Sequence, residues 1–238
     1  ALRLRAAILA RRPGEDALRA ALDDLDALDE PLLPDDHLLR SVVCERLGDI
    51  DGALTAVERG CDRHRRHARL AERWLQLLRQ AGRLDDAQQV VAGWIASNPV
   101  DWRWHRWAGE LAAASGNDAG ALEHLEAAQE HLAGLAARAD DPTFVPLVAG
   151  LLLARAAAVA RLNRLDEADA LYGRAAELMA DDPLIPFNRG LLAARSGDID
   201  RALELCAPAL KAGTPELQAH MRQSLDDNRY AALRARLV

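Results

Sequence analysis

Aromatic residues are scarce: five Trp, two Tyr and two Phe in 238 residues that are 50% hydrophobic. The apolar content is therefore mostly Ala, Leu and Val, a helix-former's composition. Lysine is nearly missing, with Lys211 alone among 30 Lys plus Arg; this reads as base-composition bias and carries no functional signal. Positive charge is in deficit, since 37 Asp plus Glu leave a net charge of -7 and a pI near 5.5. That balance argues against nucleic acid or an anionic membrane as the main partner, because both select for a basic face. The three cysteines, Cys44, Cys61 and Cys206, are an odd number in a chain long enough to form a core without staples. No disulfide framework is expected, and a reducing, cytoplasmic compartment is; the periplasm stays open because the chain starts without Met. Residues 1–12 are broken by Arg3, Arg5, Arg11 and Arg12, which leaves no signal-peptide core. The most apolar stretch, Phe144 to Ala160, contains Pro146, Gly150 and Arg155. It reads as a buried helix, too short and too interrupted for a span of ~20 residues.

What the chain does have is an internal repeat. Five segments read Gly48-Asp-Ile-Asp-Gly-Ala53, Gly82-Arg-Leu-Asp-Asp-Ala87, Gly116-Asn-Asp-Ala-Gly-Ala121, Asn163-Arg-Leu-Asp-Glu-Ala168 and Gly197-Asp-Ile-Asp-Arg-Ala202, with alanine spacings of 34, 34, 47 and 34. Four residues after each alanine stands Val57, Val91, Leu125, Tyr172 or Cys206, and three further on Gly60, Trp94, Ala128, Ala175 or Ala209. That spacing marks one face of a helix. The Gly or Asn suits a left-handed helix cap. The aliphatic two residues later plugs the turn, and Asp51, Asp85, Asp166 and Asp200 fall in a first turn, where negative charge is favoured. Each segment therefore reads as helix, tight turn, helix, with the small alanine allowing close approach. One such unit cannot bury its apolar face alone, so neighbours must stack.

These residues resemble the tetratricopeptide repeat (TPR) family over about residues 34 to 213. Gly109 and Gly190 stand at the early small position, and Pro99 stands near a repeat end. Departures are Gly60 and Trp94 at the second alanine, Asp118 at the turn aliphatic and Pro208 inside a second helix; the third and fifth repeats are expected to be bent or loosely packed. The resemblance implies an all-α, right-handed α-solenoid of about five to six helix-turn-helix repeats with a C-terminal capping helix. Residues 1–33 read as a degenerate first repeat or cap, and 34–213 as five repeats. The longer spacing places an insertion near 131–147, with extended helices and a break at 139–142. Residues 214–238 read as capping helices, opened by Thr214 as an N-cap and Pro215 in the first turn.

Catalytic motifs are missing too: no Gly-rich phosphate loop, no nucleophile elbow, no His pair with a general base and no paired-Cys zinc spacing. No enzyme, cofactor or metal is expected. The nearest metal candidate, Cys61, His64 and His67, lies among Arg63, Arg65, Arg66 and Arg69, which repel a cation. By the resemblance, the first helix of each repeat lines a concave groove for a partner protein or peptide. The candidates are Arg69, Gln76, Arg79, Arg103, Arg106, Trp107, Leu153, Phe187, Asn188 and Leu191, with Arg161 and Arg195 at the edge. Such a groove is two-toned and suits a peptide with an acidic portion and an apolar portion. Trp104 is assigned to the core and Trp107 to the groove. The apolar members have an alternative fate, burial by a neighbouring helix, the C-terminal cap or a second copy. The leading reading is a non-enzymatic interaction module; an accessory segment of a larger enzyme or transcriptional regulator and a self-assembling scaffold stand beside it. Nucleic acid is not favoured as a partner.

Overall fold

The computed structural model describes residues 1–65, 67–139 and 142–237. Two compact units are present, Ala1–Val90 and Val91–Val238. The first holds α1 (Leu2–Leu9), α2 (Glu15–Asp26), α3 (Pro34–Arg46), α4 (Ile50–Arg63), α5 (Ala68–Gln80) and the start of α6 (Leu84–Ser97). The second holds the rest of α6, then α7 (Trp102–Ala114), α8 (Asp118–Ala139), α9 (Phe144–Arg161), α10 (Leu165–Leu178), α11 (Leu184–Arg195), α12 (Ile199–Ala212), α13 (Pro215–Ser224), a 3-10 turn (Asn228–Tyr230) and α14 (Ala231–Leu237). The fold is all-α, and α3/α4, α7/α8, α9/α10 and α11/α12 pack as hairpins.

The turns form as their residues require. Gly48, Gly82, Gly116 and Gly197 have φ of 79°, 72°, 77° and 88°, and Asn163 takes the same region at 62°. In each turn two backbone bonds close the helix. At the first, Gly48 N donates to Glu45 O (2.9 Å) and Asp49 N to Cys44 O (2.9 Å), and the other four repeat the pattern. This is the Schellman motif, which satisfies carbonyls a helix end leaves bare. Asp49, Asn117 and Asp198 then cap the following helix, accepting from Gly52, Gly120 and Arg201 N–H groups.

Close approach explains the small residues. Ala53, Ala87, Ala121, Ala168 and Ala202 are fully buried. A Cβ on Gly109 would stand 2.6 Å from Leu125 Cγ and 3.1 Å from the Ala121 carbonyl oxygen, and one on Gly190 would run into Cys206 Sγ. Gly60, one of the departures, is likewise a contact point: an added Cβ would stand 2.9 Å from both His37 Cβ and Leu70 Cδ2. Asp118 leaves the apolar plug position to pair with Arg161 of α9 at 2.5 Å. α12 continues through the exposed Pro208.

The insertion lengthens two helices. α8 has 22 residues where α4, α6, α10 and α12 have 14, and α9 has 18 where α3, α5 and α7 have 13. Of the break expected at 139–142, residues 140 and 141 lie outside the described residues. α9 also corrects the expectation drawn from its sequence. It is one continuous helix through Pro146 and Gly150, long and apolar enough by length and composition to cross a membrane. In this fold Leu151, Leu152, Ala156, Ala158 and Val159 are buried in clusters shared with α8, α10 and α11. Its one charge before the last turn, Arg155, donates to Gln129 Oε1 (2.6 Å) and Glu126 Oε1 (2.8 Å) of α8.

Candidate functional site

In the first unit, the candidate residues lie on α5. Arg69, Gln76 and Arg79 line its outer side, and Arg69 pairs with Asp35 at 3.2 Å across two well-solvated side chains, a contact worth little. Arg73, on the same helix, is occupied: it donates to Ser41 Oγ and pairs with Glu45, both on α3.

In the second unit, α7 separates its two arginines by what already holds them. Arg103 turns back on the Asp101 N-cap, donating from Nε (2.9 Å) and Nη2 (2.7 Å) to its two carboxylate oxygens. Burial pushes the Asp101 carboxyl up, but the hydrogen bonds and charge of Arg103 outweigh it and hold the group below its ordinary value. Arg106 is held more loosely. Its Nε is buried without a hydrogen bond, 3.7 Å from the carboxylate of Glu110, and the guanidinium stands 5.9 Å from the Trp102 ring centroid. The terminal nitrogens of a partly exposed guanidinium beside an aromatic face can donate to an incoming carboxylate.

Two assignments are corrected. Trp107 is 3% exposed and Phe187 1%, so neither lies on a surface a partner can reach. Phe187 packs with Ala202 and Cys206 of α12 and with Met221, Leu225, Tyr230 and Leu233 that follow. Leu184 and Leu191 are half-buried against the same cluster, and Leu153 against that of α9 and α10. The neighbouring helices and the C-terminal segment thus cover much of the apolar half. Asn188 stays half-buried and forms no hydrogen bond from its side chain among the described residues. The edge arginines are engaged, Arg161 with Asp118 and Arg195 with Asn163 Oδ1 (3.1 Å). Trp104 is buried as expected, its ring 4.6 Å from that of Trp94.

Of the candidate ligands at 61–67, Arg66 among their neighbours lies outside the described residues. His67 Nδ1 accepts from Leu70 N–H (3.4 Å), His64 Nε2 meets Leu32 O (2.9 Å), and burial pushes the Cys61 thiol up to about 12. Those three groups serve caps and packing. A set that sequence reasoning missed is His105, with ring centroids 5.7 Å from His124 and 5.3 Å from His131. No spacing rule signals it, because the rings come from different helices of one hairpin. Among the described residues, no three His, Cys, Asp or Glu stand placed to hold a metal ion. A shallow depression of about 280 Å³ lies between α8 and α9, lined by Glu126, Gln129, Glu130, Ala133 and Arg155.

No family model matches the sequence, and no curated protein does. Solved structures do. A TPR protein from Parabacteroides merdae superposes with a TM-score of 0.64 at 17% identity, covering 92% of this chain and 82% of that one. The C-terminal part of a TPR repeat-containing protein from Cytophaga hutchinsonii gives 0.61 at 16%, covering 98% and 92%. A thermophilic TPR protein from Thermus thermophilus gives 0.59 at 23%, covering 81% and 97%. The fold is that of tetratricopeptide repeat proteins, an all-α helical-repeat solenoid.

Proposed function

We propose that this chain is a non-enzymatic protein-interaction module that docks a partner protein or peptide on the faces of its first-of-pair helices. The fold supports a binding role, because helical repeats offer extended side-chain surfaces and chemistry must come from specific sites on them. The observation that carries the finer reading is Arg106: a partly exposed guanidinium whose inward Nε stands 3.7 Å from the Glu110 carboxylate, a looser pairing than that of Arg103 with Asp101 at 2.7 Å. A partner carboxylate fits there. The half-buried rims of Leu153, Leu184 and Leu191 supply apolar contact, and the Asn188 amide is available to a peptide backbone. In the first unit, Arg69, Gln76 and Arg79 form a second polar row on α5.

The test is affinity capture from the native source with wild type, Arg106→Glu and Arg103→Glu, each checked for unchanged helical content, with captured proteins identified by mass spectrometry. A partner lost with Arg106→Glu and only weakened with Arg103→Glu supports the reading, because Arg103 is already committed to Asp101. Identical captures from all three remove the α7 face. Recovery of the chain alone favours a self-assembling scaffold.

A further inference from the structure

Three imidazoles meet where the first half of α7 lies against α8. His105 comes from α7, and His124 and His131 stand seven residues apart, two turns along one face of α8. The His105 ring centroid is 5.7 Å from that of His124 and 5.3 Å from that of His131. His105 is also fixed in one tautomer. Its Nε2 meets the Pro99 carbonyl oxygen at 2.9 Å, and a carbonyl only accepts, so in the neutral ring Nε2 carries the hydrogen and Nδ1 is a bare lone pair. That Nδ1 is buried and forms no hydrogen bond. The trio therefore holds a proton acceptor to which the fold supplies no donor.

The surroundings offer little to balance a positive charge there. Residues 91–100, which lead into α7, carry no charged side chain. α9 packs against both helices, and its charges are Arg155 and Arg161, already paired with Glu126 and Asp118 of α8. On α7, Asp101 is taken by Arg103, and Glu110 faces Arg106. Glu123 and Glu130 of α8 are exposed, and among the described residues neither pairs with any of the three rings. Burial pushes the His124 imidazole below its ordinary value, His105 adds to that, and the charge of Glu123 offsets only part of it. One proton can be shared within the trio. A second sets two imidazoliums at these separations in a partly buried site, where like charges are poorly screened.

We propose that His105, His124 and His131 form a proton-operated catch: with the rings neutral the first two turns of α7 close on α8, and protonation of the trio releases them while the rest of the hairpin stays packed. The packing defines what can move. Further along α7, Gly109 meets Leu125 and the Ala121 carbonyl oxygen too closely to admit a Cβ, which pins that half of the helix. The first turns rest on α8 through His105 and the partly buried Trp102, and Trp104 stacks on Trp94 of α6, so turns released from α8 remain attached to the fold. Histidine is the side chain whose ordinary pKa, about 6.5, sets such a release between pH 5 and 8. The two turns carry Arg103 and Arg106. The functional consequence rests on the docking role proposed above: acidification loosens the face that holds the partner and lets the partner go.

Hydrogen-deuterium exchange of the full chain, corrected for the intrinsic effect of pH, reads the catch without any partner. The amides of residues 106–109, the first with carbonyl partners inside α7, are expected to lose at least tenfold in protection between about pH 7.5 and 5.5. Those of α11 and α12, a hairpin without histidine, are expected to change less than about twofold over the same range. His105→Gln, whose amide can still donate to Pro99 O, removes the α7 response, and so does His124→Gln with His131→Gln. His105→Phe removes it too, whatever its effect on the protection at neutral pH. In the wild type the three imidazole Cε1–H signals titrate interdependently. A loss of protection shared equally by α11 and α12, a response that survives in both His105 variants, or three independent single-site titrations overturns the proposal. Affinity capture at the same two pH values keeps this inference apart from the docking role. An acid-sensitive α7 with captures indifferent to Arg106→Glu leaves the catch standing and removes the docking face. A partner that wild type releases in acid and His105→Gln retains joins the two, and equal release from both removes the regulation.

Discussion

Two histidines sit where a protonated ring is disfavoured. Burial pushes the His37 imidazole below its ordinary value, and the neighbouring His64 and Arg63 add to the effect; its Nε2 is buried without a hydrogen bond. Burial does the same to His124, helped by His105. An unfolded chain takes up these protons near the ordinary histidine value of about 6.5, before the folded chain does. Stability therefore rises with pH in this window: it is complete above about 6.5 and lost as pH falls from there through the lowered folded values. The carboxylates that arginine holds down, Asp24 by Arg5 and Asp169 by Arg189, lose their contribution only below the ordinary carboxylate range near 4, so the two effects separate. The urea midpoint is expected to drop between pH 7.5 and 5, and His124→Gln to flatten part of that drop. A wild-type midpoint level across the range would contradict the assignment. The residue scale is also where sequence reasoning reached least far. Trp107 and Phe187 adjoin Arg106 and Asn188 in sequence, about 100° round the helix from them, and counting back from the repeat alanines places all four outside. Only packing between successive hairpins, which joins residues distant in sequence, decides that the two large apolar rings are covered and the polar pair is not.

Paired helices were far more legible, because the signals for them are local. A left-handed turn accepts Gly or Asn and little else, and it repeats at 48, 82, 116, 163 and 197 in the sequence and in the backbone alike. The early glycines test the close-approach argument directly. Gly109→Ala or Gly190→Ala places a Cβ against Leu125 or Cys206 and 3.1 Å from a backbone carbonyl oxygen, which cannot swing aside. Each is expected to cost about 1–3 kcal/mol through overpacking. Gly173 of α10 meets nothing within 4 Å at the same test. Gly173→Ala therefore gains about 0.5–1 kcal/mol from helix propensity alone. Urea unfolding of the three variants reads the contrast, and equal effects at the three positions would remove close packing as the reason for the small residues. Element direction was less legible than element existence. Residues 1–33 do form two helices, but which side of α1 faces inward depends on Arg3 and Arg5 reaching other helices and on Arg46 reaching back to its end.

For the molecule as a whole, the C-terminal segment decides how much of the apolar face is open to a partner. Met221, Leu225, Tyr230 and Leu233 form one buried cluster with Phe187, Ala202, Cys206 and Ala209, so the segment from 214 to 237 completes the core of α11 and α12. Burial of a large apolar side chain contributes about 1.5–3 kcal/mol, and three of the four supplied by the segment are fully or nearly fully buried aliphatics or Met. Their loss approaches the whole stability of a domain, on the order of 5–15 kcal/mol. A displaceable lid behaves differently from such a structural cap. Deleting a lid leaves the unfolding transition in place and opens a binding face, whereas deleting a cap lowers the transition and exposes Phe187 to water. Truncation after Gly213 is expected to show the second pattern: a lower urea midpoint and increased binding of a hydrophobic dye. An unchanged midpoint would make the segment a lid and return Phe187 and Leu191 to the partner-facing surface. On the expected outcome, a partner on α11 is confined to Asn188 and the half-buried edges of Leu184 and Leu191, and most of its specificity must come from the charged face of α7.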